Sequence, residues 1–225
     1  MGNIAEVRVT GRSNQQNPVF DANGDQVDGI DYSISFTEEE DTQISIVSPR
    51  AFITDEDIAA QIESVTVNLT NAQLSSSEEF LSLIQAPPAS LQATVSGGTT
   101  VVITAPDPAS ASETDFITVL LSIRYNNIAD EPLEETRVIE FTVFDGRREN
   151  SPRARTSITI QTTNDIPVVD LNGASVPGEN GLLQYREAMP AILIAPDLII
   201  EDPDSSTLTM ATTQMFTCST LRTTI

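Results

Sequence analysis

Pro18-Val19-Phe20-Asp21-Ala22-Asn23-Gly24 returns later in the chain as Pro167-Val168-Val169-Asp170-Leu171-Asn172-Gly173, an offset of 167 − 18 = 149. The echo continues in order. Phe36-Thr37-Glu38 aligns with Tyr185-Arg186-Glu187 at 149, and Ile44-Ser45-Ile46 with Ile192-Leu193-Ile194 at 148. Ile53-Thr54-Asp55-Glu56-Asp57 then aligns with Ile200-Glu201-Asp202-Pro203-Asp204 at 147. Short loop deletions produce such a slip. Upstream, Val7-Arg8-Val9-Thr10 before Asn17-Pro18 matches Ile158-Thr159-Ile160-Gln161 before Asp165-Ile166-Pro167. Self-similarity at a fixed period implies repeated structural units. The reading is therefore residues 1–17 as the last strand and linker of one unit, 18–166 as a complete unit, and 167–225 as the first part of another. On this reading the chain is a piece of a longer repetitive protein.

Within the complete unit the hydrophobic period is two. Ile30-Asp31-Tyr32-Ser33-Ile34-Ser35-Phe36, Val65-Thr66-Val67-Asn68-Leu69-Thr70 and Ile139-Glu140-Phe141-Thr142-Val143 alternate as half-buried strands do. Further strands are expected at 44–53, 91–95, 99–104, 121–125 and 154–162, separated by Gly, Pro, Asn, Asp and Ser. One short helix is expected near 113–120, because Ser112 and Asp115 form a capped start before Phe116-Ile117-Thr118-Val119-Leu120. Many short strands with turns between them predict an all-β sandwich.

Composition narrows the chemistry. The chain has 33 Asp and Glu against 11 cations, all arginine, for a net charge of −22, and it holds one cysteine and no His, Lys or Trp. No Ser-His or Cys-His pair, Schiff-base lysine or P-loop lysine can be assembled from this inventory. A histidine zinc site and a cysteine cluster are excluded as well. A two-carboxylate glycosidase would want a cleft with aromatic platforms, and three Tyr without Trp do not supply one. The expectation is a non-enzyme. So anionic a chain repels nucleic acid and lipid headgroups, and no run is long and apolar enough to suggest a membrane span. Hard cations, above all Ca²⁺, are the partners that such an oxygen-rich surface attracts.

Strand direction then sorts the acids. If the strand at 30–36 runs down, Asp55 and Asp57 lie in a loop at the top, together with Asp145 in the last hairpin. Glu38 falls at the bottom, with Asp130 and Glu131 in the segment 126–136 and the outgoing Asn164-Asp165. The next unit offers Asp202 and Asp204 from its own upper loop. Carboxylates gathered in this way repel one another unless a cation sits among them, and Ca²⁺ takes 6–8 oxygen ligands.

Phe141-Thr142-Val143-Phe144-Asp145-Gly146, the strand around Ile158, and Asn164-Asp165-Ile166-Pro167 together resemble the cadherin pattern of strand, Asp-Gly turn, final strand and linker. The likeness is closer to the cadherin-like tandem repeats of large surface adhesins, through Leu120–Tyr125-Asn126-Asn127 and Asp165-Ile166-Pro167–Asp170-Leu171-Asn172-Gly173. It implies tandem immunoglobulin-like Greek-key sandwiches with calcium between them. Carried over by motif, Glu38 matches the strand-A glutamate, Asn164 and Asp165 the linker, Asp55 with Asp57 and Asp202 with Asp204 the Asp-x-Asp pairs, and Asp145 the hairpin acid. Asp130-Glu131 is a positional substitute for the absent Asp-Arg-Glu. The linker lacks the full Asp-x-Asn-Asp-Asn string, and the upstream linker Gln15-Gln16-Asn17-Pro18 has no aspartate, so a weaker upper site is expected.

The resemblance implies an extracellular or cell-surface rod of membrane-anchored type, made rigid by junction calcium. Its partners would be neighbouring repeats and a homophilic or heterophilic protein. The competing reading is a metal-independent module that binds carbohydrate or protein through the loops of one pole. Asn68-Leu69-Thr70 is a glycosylation sequon with Asn68 on the outward face of its strand. Asp21-x-Asn23-x-Asp25 opens like an EF-hand loop but has Gln26 at the sixth position and Tyr32 at the twelfth, so a turn is expected. Arg147, Arg148, Arg153 and Arg155 are expected to offset nearby carboxylates, and Cys218 to be free or paired outside the chain. Residues 167–225 supply too few strands to close a sandwich, which would leave Ile192, Ile194 and Ile199 uncovered.

Overall fold

A computed structural model describes residues 16–56, 61–75, 77–150, 152–184, 186 and 188–213. The chain divides into two compact units at 163/164, close to the 166/167 boundary drawn from the repeat. In the first unit the described strands are β1 Val19–Asp21, β2 Tyr32–Thr37, β3 Ile44–Ser45, β4 Phe52–Thr54, β5 Ser64–Leu69, β6 Glu79–Leu83, β7 Gln92–Ser96, β8 Thr100–Thr104, β9 Ile123–Asn127, β10 Arg137–Phe144 and β11 Arg155–Gln161. One helix, α1, spans Glu113–Ser122. The second unit contains β12 Val168–Asp170 and β13 Ile199–Glu201.

Unit 1 is a β-sandwich. One sheet has the order β2-β11-β10-β5-β8-β7, the other β3-β9-β6, and β1-β4 forms a separate short ladder. The alternation read from sequence is realised: on β10, Arg137, Ile139, Phe141 and Val143 are buried, and on β5, Val65, Val67 and Leu69. Phe36 on β2 meets Tyr125 on β9 edge-to-face, ring centroids 5.6 Å apart, and so joins the two sheets. The Phe20 and Phe141 rings lie 4.8 Å apart and seat β1 against β10. Aromatic contacts of this kind add to what burial alone contributes.

The strand expected over 44–53 is broken. Only Ile44–Ser45 and Phe52–Thr54 are strands, and they belong to different sheets. Pro49 lacks the N–H that a continuous ladder needs, and a turn from the Ala51 amide to the Ser48 carbonyl takes its place. The helix starts where its cap is written: Ser112 Oγ accepts the Asp115 amide at 3.1 Å, and Asp115 Oδ2 accepts the Ser112 amide at 2.9 Å. This reciprocal box, led by the Ser112 backbone hydrogen bond, holds the Asp115 carboxyl below its ordinary value.

One charge is placed inward. Arg137 occupies a core position of β10, and its Nε contacts Glu79 Oε1 at 2.5 Å with both side chains fully buried. Tyr125 donates its hydroxyl to the same oxygen at 2.7 Å, while the amides of Gln73 and Leu74 donate to Glu79 Oε2. Burial, and then the bond to Glu79, raises the Tyr125 phenol well above its ordinary value. The network ties β10 of the large sheet to β6 and β9 of the small one.

The two units carry the same local ladder. In unit 1 Val19, Phe20 and Asp21 pair with Thr54, Ile53 and Phe52; in unit 2 Val168, Val169 and Asp170 pair with Glu201, Ile200 and Ile199. The shifts are 168 − 19 = 149 and 201 − 54 = 147, the offsets found in the sequence. The turns match too. Asp21 Oδ1 accepts the amides of Asn23 and Gly24, and Asp170 Oδ1 those of Asn172 and Gly173. The EF-hand-like opening is therefore an Asx turn. The surroundings differ: Phe20 and Ile53 are buried, whereas Val169 is 46% and Ile200 37% exposed.

Candidate metal centre

Inside unit 2 two of the acids singled out by sequence, Asp202 and Asp204, lie together, with the backbone of a third, Asp165, against them. The backbone amide of Asp165 donates to Asp204 Oδ2 at 3.0 Å, which folds the segment after residue 163 against the loop that follows β13. Asp202 lies on the same loop, and its carboxyl is raised above the ordinary value first by a side-chain hydrogen bond with Asp204, then by desolvation and by the charge of Asp204. Asp202 Oδ1 is shielded from solvent and has no hydrogen-bond partner. Asn164 is exposed, and its Nδ2 donates to the Asp165 carbonyl at 2.6 Å.

This donor set is all oxygen and all hard, which suits Ca²⁺ among common metals. A raised Asp202 carboxyl beside Asp204, with one oxygen bare, is what closely spaced carboxylates show where a cation could relieve their repulsion. Among the described residues, no group of three or more His, Cys, Asp and Glu is already arranged to hold a metal ion. Binding would therefore require Asp202 and Asp204 to give up their mutual hydrogen bond.

In unit 1 the sequence-selected acids are dispersed. Glu38 and Asp130 line one shallow cavity of about 270 Å³ with Glu39, Asp41, Thr42 and Asn127, so the sandwich does bring these two to one place. Glu38 is buried, and its Oε2 accepts the Thr163 amide at 3.0 Å. Glu131 is exposed on the adjoining segment. Asp145 is buried; its Oδ1 accepts the Arg147 and Arg148 amides at 2.7 and 2.5 Å and so closes the turn at Gly146. Asp55, half-buried after β4, faces α1: burial, and after it the Asp55 charge, pushes the Glu113 carboxyl up. Asp57 lies outside the described residues, as does Cys218.

Unit 1 differs from unit 2 at the linker position. Gln16 stands where unit 2 has Asp165 (165 − 149 = 16), and its Nε2 donates to Glu56 Oε2 at 3.0 Å. A neutral amide thus answers an acid of that loop. Asn68 is exposed on β5 between buried Val67 and Leu69, with its Oδ1 accepting from Thr100 Oγ1 at 3.1 Å, so the sequon is on the surface. Of the clustered arginines expected to offset carboxylates, Arg153 pairs with Glu149 at 2.6 Å and Arg155 with Glu140 at 2.8 Å. The Arg137–Glu79 network was not anticipated. Its signal was an arginine in phase with Ile139, Phe141 and Val143.

No protein-family model and no curated protein matches the chain. Two solved structures are similar in shape. One is the seventh ScaB type I cohesin from Pseudobacteroides cellulosolvens, with 9% identity, coverage of 60% of this chain and 92% of that one, and a TM-score of 0.33. The other is from the CaDoc0917–CaCohA2 complex, with 11% identity, coverage of 64% and 100%, and a TM-score of 0.34. At these values neither likeness bears on function. Among the described residues, no helix is long and apolar enough to cross a membrane.

Proposed function

We propose that the chain is a non-enzymatic, extracellular repeat segment of a cadherin-like surface protein, in which calcium bound by Asp165, Asp202 and Asp204 fixes the linker. The observation that supports this most is the Asp202–Asp204 carboxyl pair, in which the contact with Asp204 raises the Asp202 carboxyl beside its buried, unpartnered Oδ1. Calcium would supply positive charge between the two carboxyls, with Asn164 as a neighbouring oxygen donor. In this reading the ion orders the segment after residue 163, so its removal loosens the linker before it unfolds unit 1. Gln16, whose amide donates to Glu56, makes the corresponding corner of unit 1 less dependent on metal. The test is calcium binding by the whole chain against a variant carrying Asp202→Asn and Asp204→Asn. Saturable binding lost in the variant supports the reading.

A second reading is a metal-independent protein-binding sandwich. It is favoured by Glu38 and Asp145, two assigned calcium ligands whose carboxylates already accept backbone amides. Partner binding that is insensitive to chelator would select it.

A further inference from the structure

Asn-Gly occurs three times in the chain, at Asn23-Gly24, Asn172-Gly173 and Asn180-Gly181. Glycine has no Cβ to keep its amide nitrogen away from the preceding side chain, so in this dipeptide an asparagine closes on the main chain with least hindrance. The three pairs stand in different environments. Asn23 is only 8% exposed, its Nδ2 donates to the Asp31 carbonyl at 2.9 Å, and the Gly24 amide donates to Asp21 Oδ1 at 2.8 Å. Asn172 is half-buried; its Nδ2 donates to the Asn180 carbonyl at 3.3 Å, and the Gly173 amide donates to Asp170 Oδ1 at 2.9 Å. Asn180 and Gly181 are both exposed. Among the described residues no hydrogen bond holds the Asn180 side chain or the Gly181 amide.

The repeat shows what stands at this position in the other unit. The Leu171 amide donates to the Glu179 carbonyl and Asn172 Nδ2 to the Asn180 carbonyl, as the Ala22 amide donates to the Ile30 carbonyl and Asn23 Nδ2 to the Asp31 carbonyl. Asn180 is therefore the counterpart of Asp31 (180 − 149 = 31), with Gly181 in place of Tyr32. In unit 1 that carboxylate is used: Asp31 Oδ1 accepts the Arg155 amide at 2.8 Å, at the start of β11. Unit 2 carries the amide of the same acid, followed by the residue that least hinders its conversion.

We propose that Asn180 is a self-modification site, at which the chain converts a neutral amide into the carboxylate that unit 1 carries at the same position. The Gly181 nitrogen attacks Asn180 Cγ and forms a new C–N bond. The Cγ–Nδ2 bond breaks, and the Gly181 amide proton leaves with Nδ2 as ammonia, closing a succinimide ring. Water then opens the ring. Attack at Cγ gives an aspartate at 180; attack at the main-chain carbonyl gives an isoaspartyl link, which is one methylene longer along the backbone. No electrons are transferred, and water is the sole co-reactant. Ring closure needs the glycine nitrogen, and at Gly24 and Gly173 that N–H is tied to an aspartate, so those turns must open first. The product places a negative charge in unit 2 where Asp31 places one in unit 1, and the isoaspartyl form also displaces the carbonyl that Asn172 bonds to. The inference needs no metal and stands apart from the calcium reading.

The test is peptide mapping by mass spectrometry of the whole chain, aged in EDTA at neutral pH both folded and in urea, with digestion at acid pH so that handling adds no conversion. In urea the three sites should convert at similar rates. In the folded chain Asn180 should keep close to its urea rate, while Asn172 falls at least about tenfold below it and Asn23 lower still, the cost of opening their turns. Gly181→Ala should slow conversion at 180 severalfold and leave Asn172 unchanged, because a Cβ there hinders the nitrogen. The fold has room for that Cβ, whose nearest neighbours would be Leu171 Cβ and the Leu171 carbonyl oxygen at 3.4 Å, and a circular dichroism melt checks that the variant is folded. An Asn180 that converts no faster than Asn172 overturns the proposal. So does one held in the folded chain to a small fraction of its urea rate, or one that Gly181→Ala leaves unaffected.

Discussion

The Asp165 amide donates to Asp204 Oδ2 at 3.0 Å, and that carboxyl group is also the partner of Asp202. The Asp202 carboxyl is raised by this contact, so its protonated form contributes stability to unit 2 that is fully present below the ordinary Asp value of 3.8. That contribution is lost as pH rises through the raised value. Calcium competes with the proton. Binding should release protons near the raised value, and affinity should fall as pH is lowered into that range. Calorimetry in buffers of different ionisation heat measures the release; buffer-independent heats across that range would count against a raised Asp202 carboxyl at the calcium site.

Arg137 and Glu79 form an ion pair with no solvent exposure on either side. Arg137→Met leaves a carboxylate buried without its cation and is expected to cost about 3–5 kcal/mol. Replacing both with apolar residues of similar volume should cost much less than the sum of the two single changes. Urea unfolding of the four proteins gives the comparison.

Gly24 and Gly29 share nearly the same left-handed backbone, φ +87° and +88°, but not the same space. A Cβ on Gly24 would lie 2.5 Å from Arg50 Cβ and 2.7 Å from the Arg50 carbonyl oxygen, whereas one on Gly29 meets nothing within 4 Å. Gly24→Ala is therefore expected to destabilise unit 1 by roughly 1–3 kcal/mol more than Gly29→Ala, the cost of overpacking. Gly173 repeats the crowding in unit 2, with the Asp197 carbonyl oxygen 2.8 Å from its would-be Cβ.

Val169 and Ile200 carry the positions of Phe20 and Ile53, yet they are exposed where their counterparts are buried. Among the described residues, the β12–β13 ladder has no counterpart of the Phe141 ring and α1 that pack on β1–β4 in unit 1. Amides of Val168–Asp170 should exchange with solvent well before those of Val19–Asp21. Equal protection in a hydrogen-exchange map would contradict this.

Much of the sandwich could be read from the sequence because its longer strands bury one face and solvate the other. β2, β5 and β10 alternate for six to eight residues, and the helix announced itself through Ser112 and Asp115. β1 and β6 could not be read. β1 is three residues long, and β6 joins the sheet through partners some 44 residues away in sequence, as in the pairing of Leu81 with Tyr125. The break at Pro49 was written in the chain, but the apolar run around it resembled one strand. Among the acids, the Asp-x-Asp repeat led to Asp202 and Asp204. Nothing in the sequence told Asp145 apart as a turn-closing carboxylate, because Asp-Gly suits both a turn and a metal ligand.

The central claim rests on calcium at Asp165, Asp202 and Asp204, and direct binding tests it best. Equilibrium dialysis of calcium against the whole chain, beside the Asp202→Asn, Asp204→Asn variant, separates a site from diffuse attraction to an anionic surface. The account predicts a saturable component present in the native chain and absent in the variant, over a weak salt-sensitive background common to both. Identical isotherms for the two proteins would contradict it.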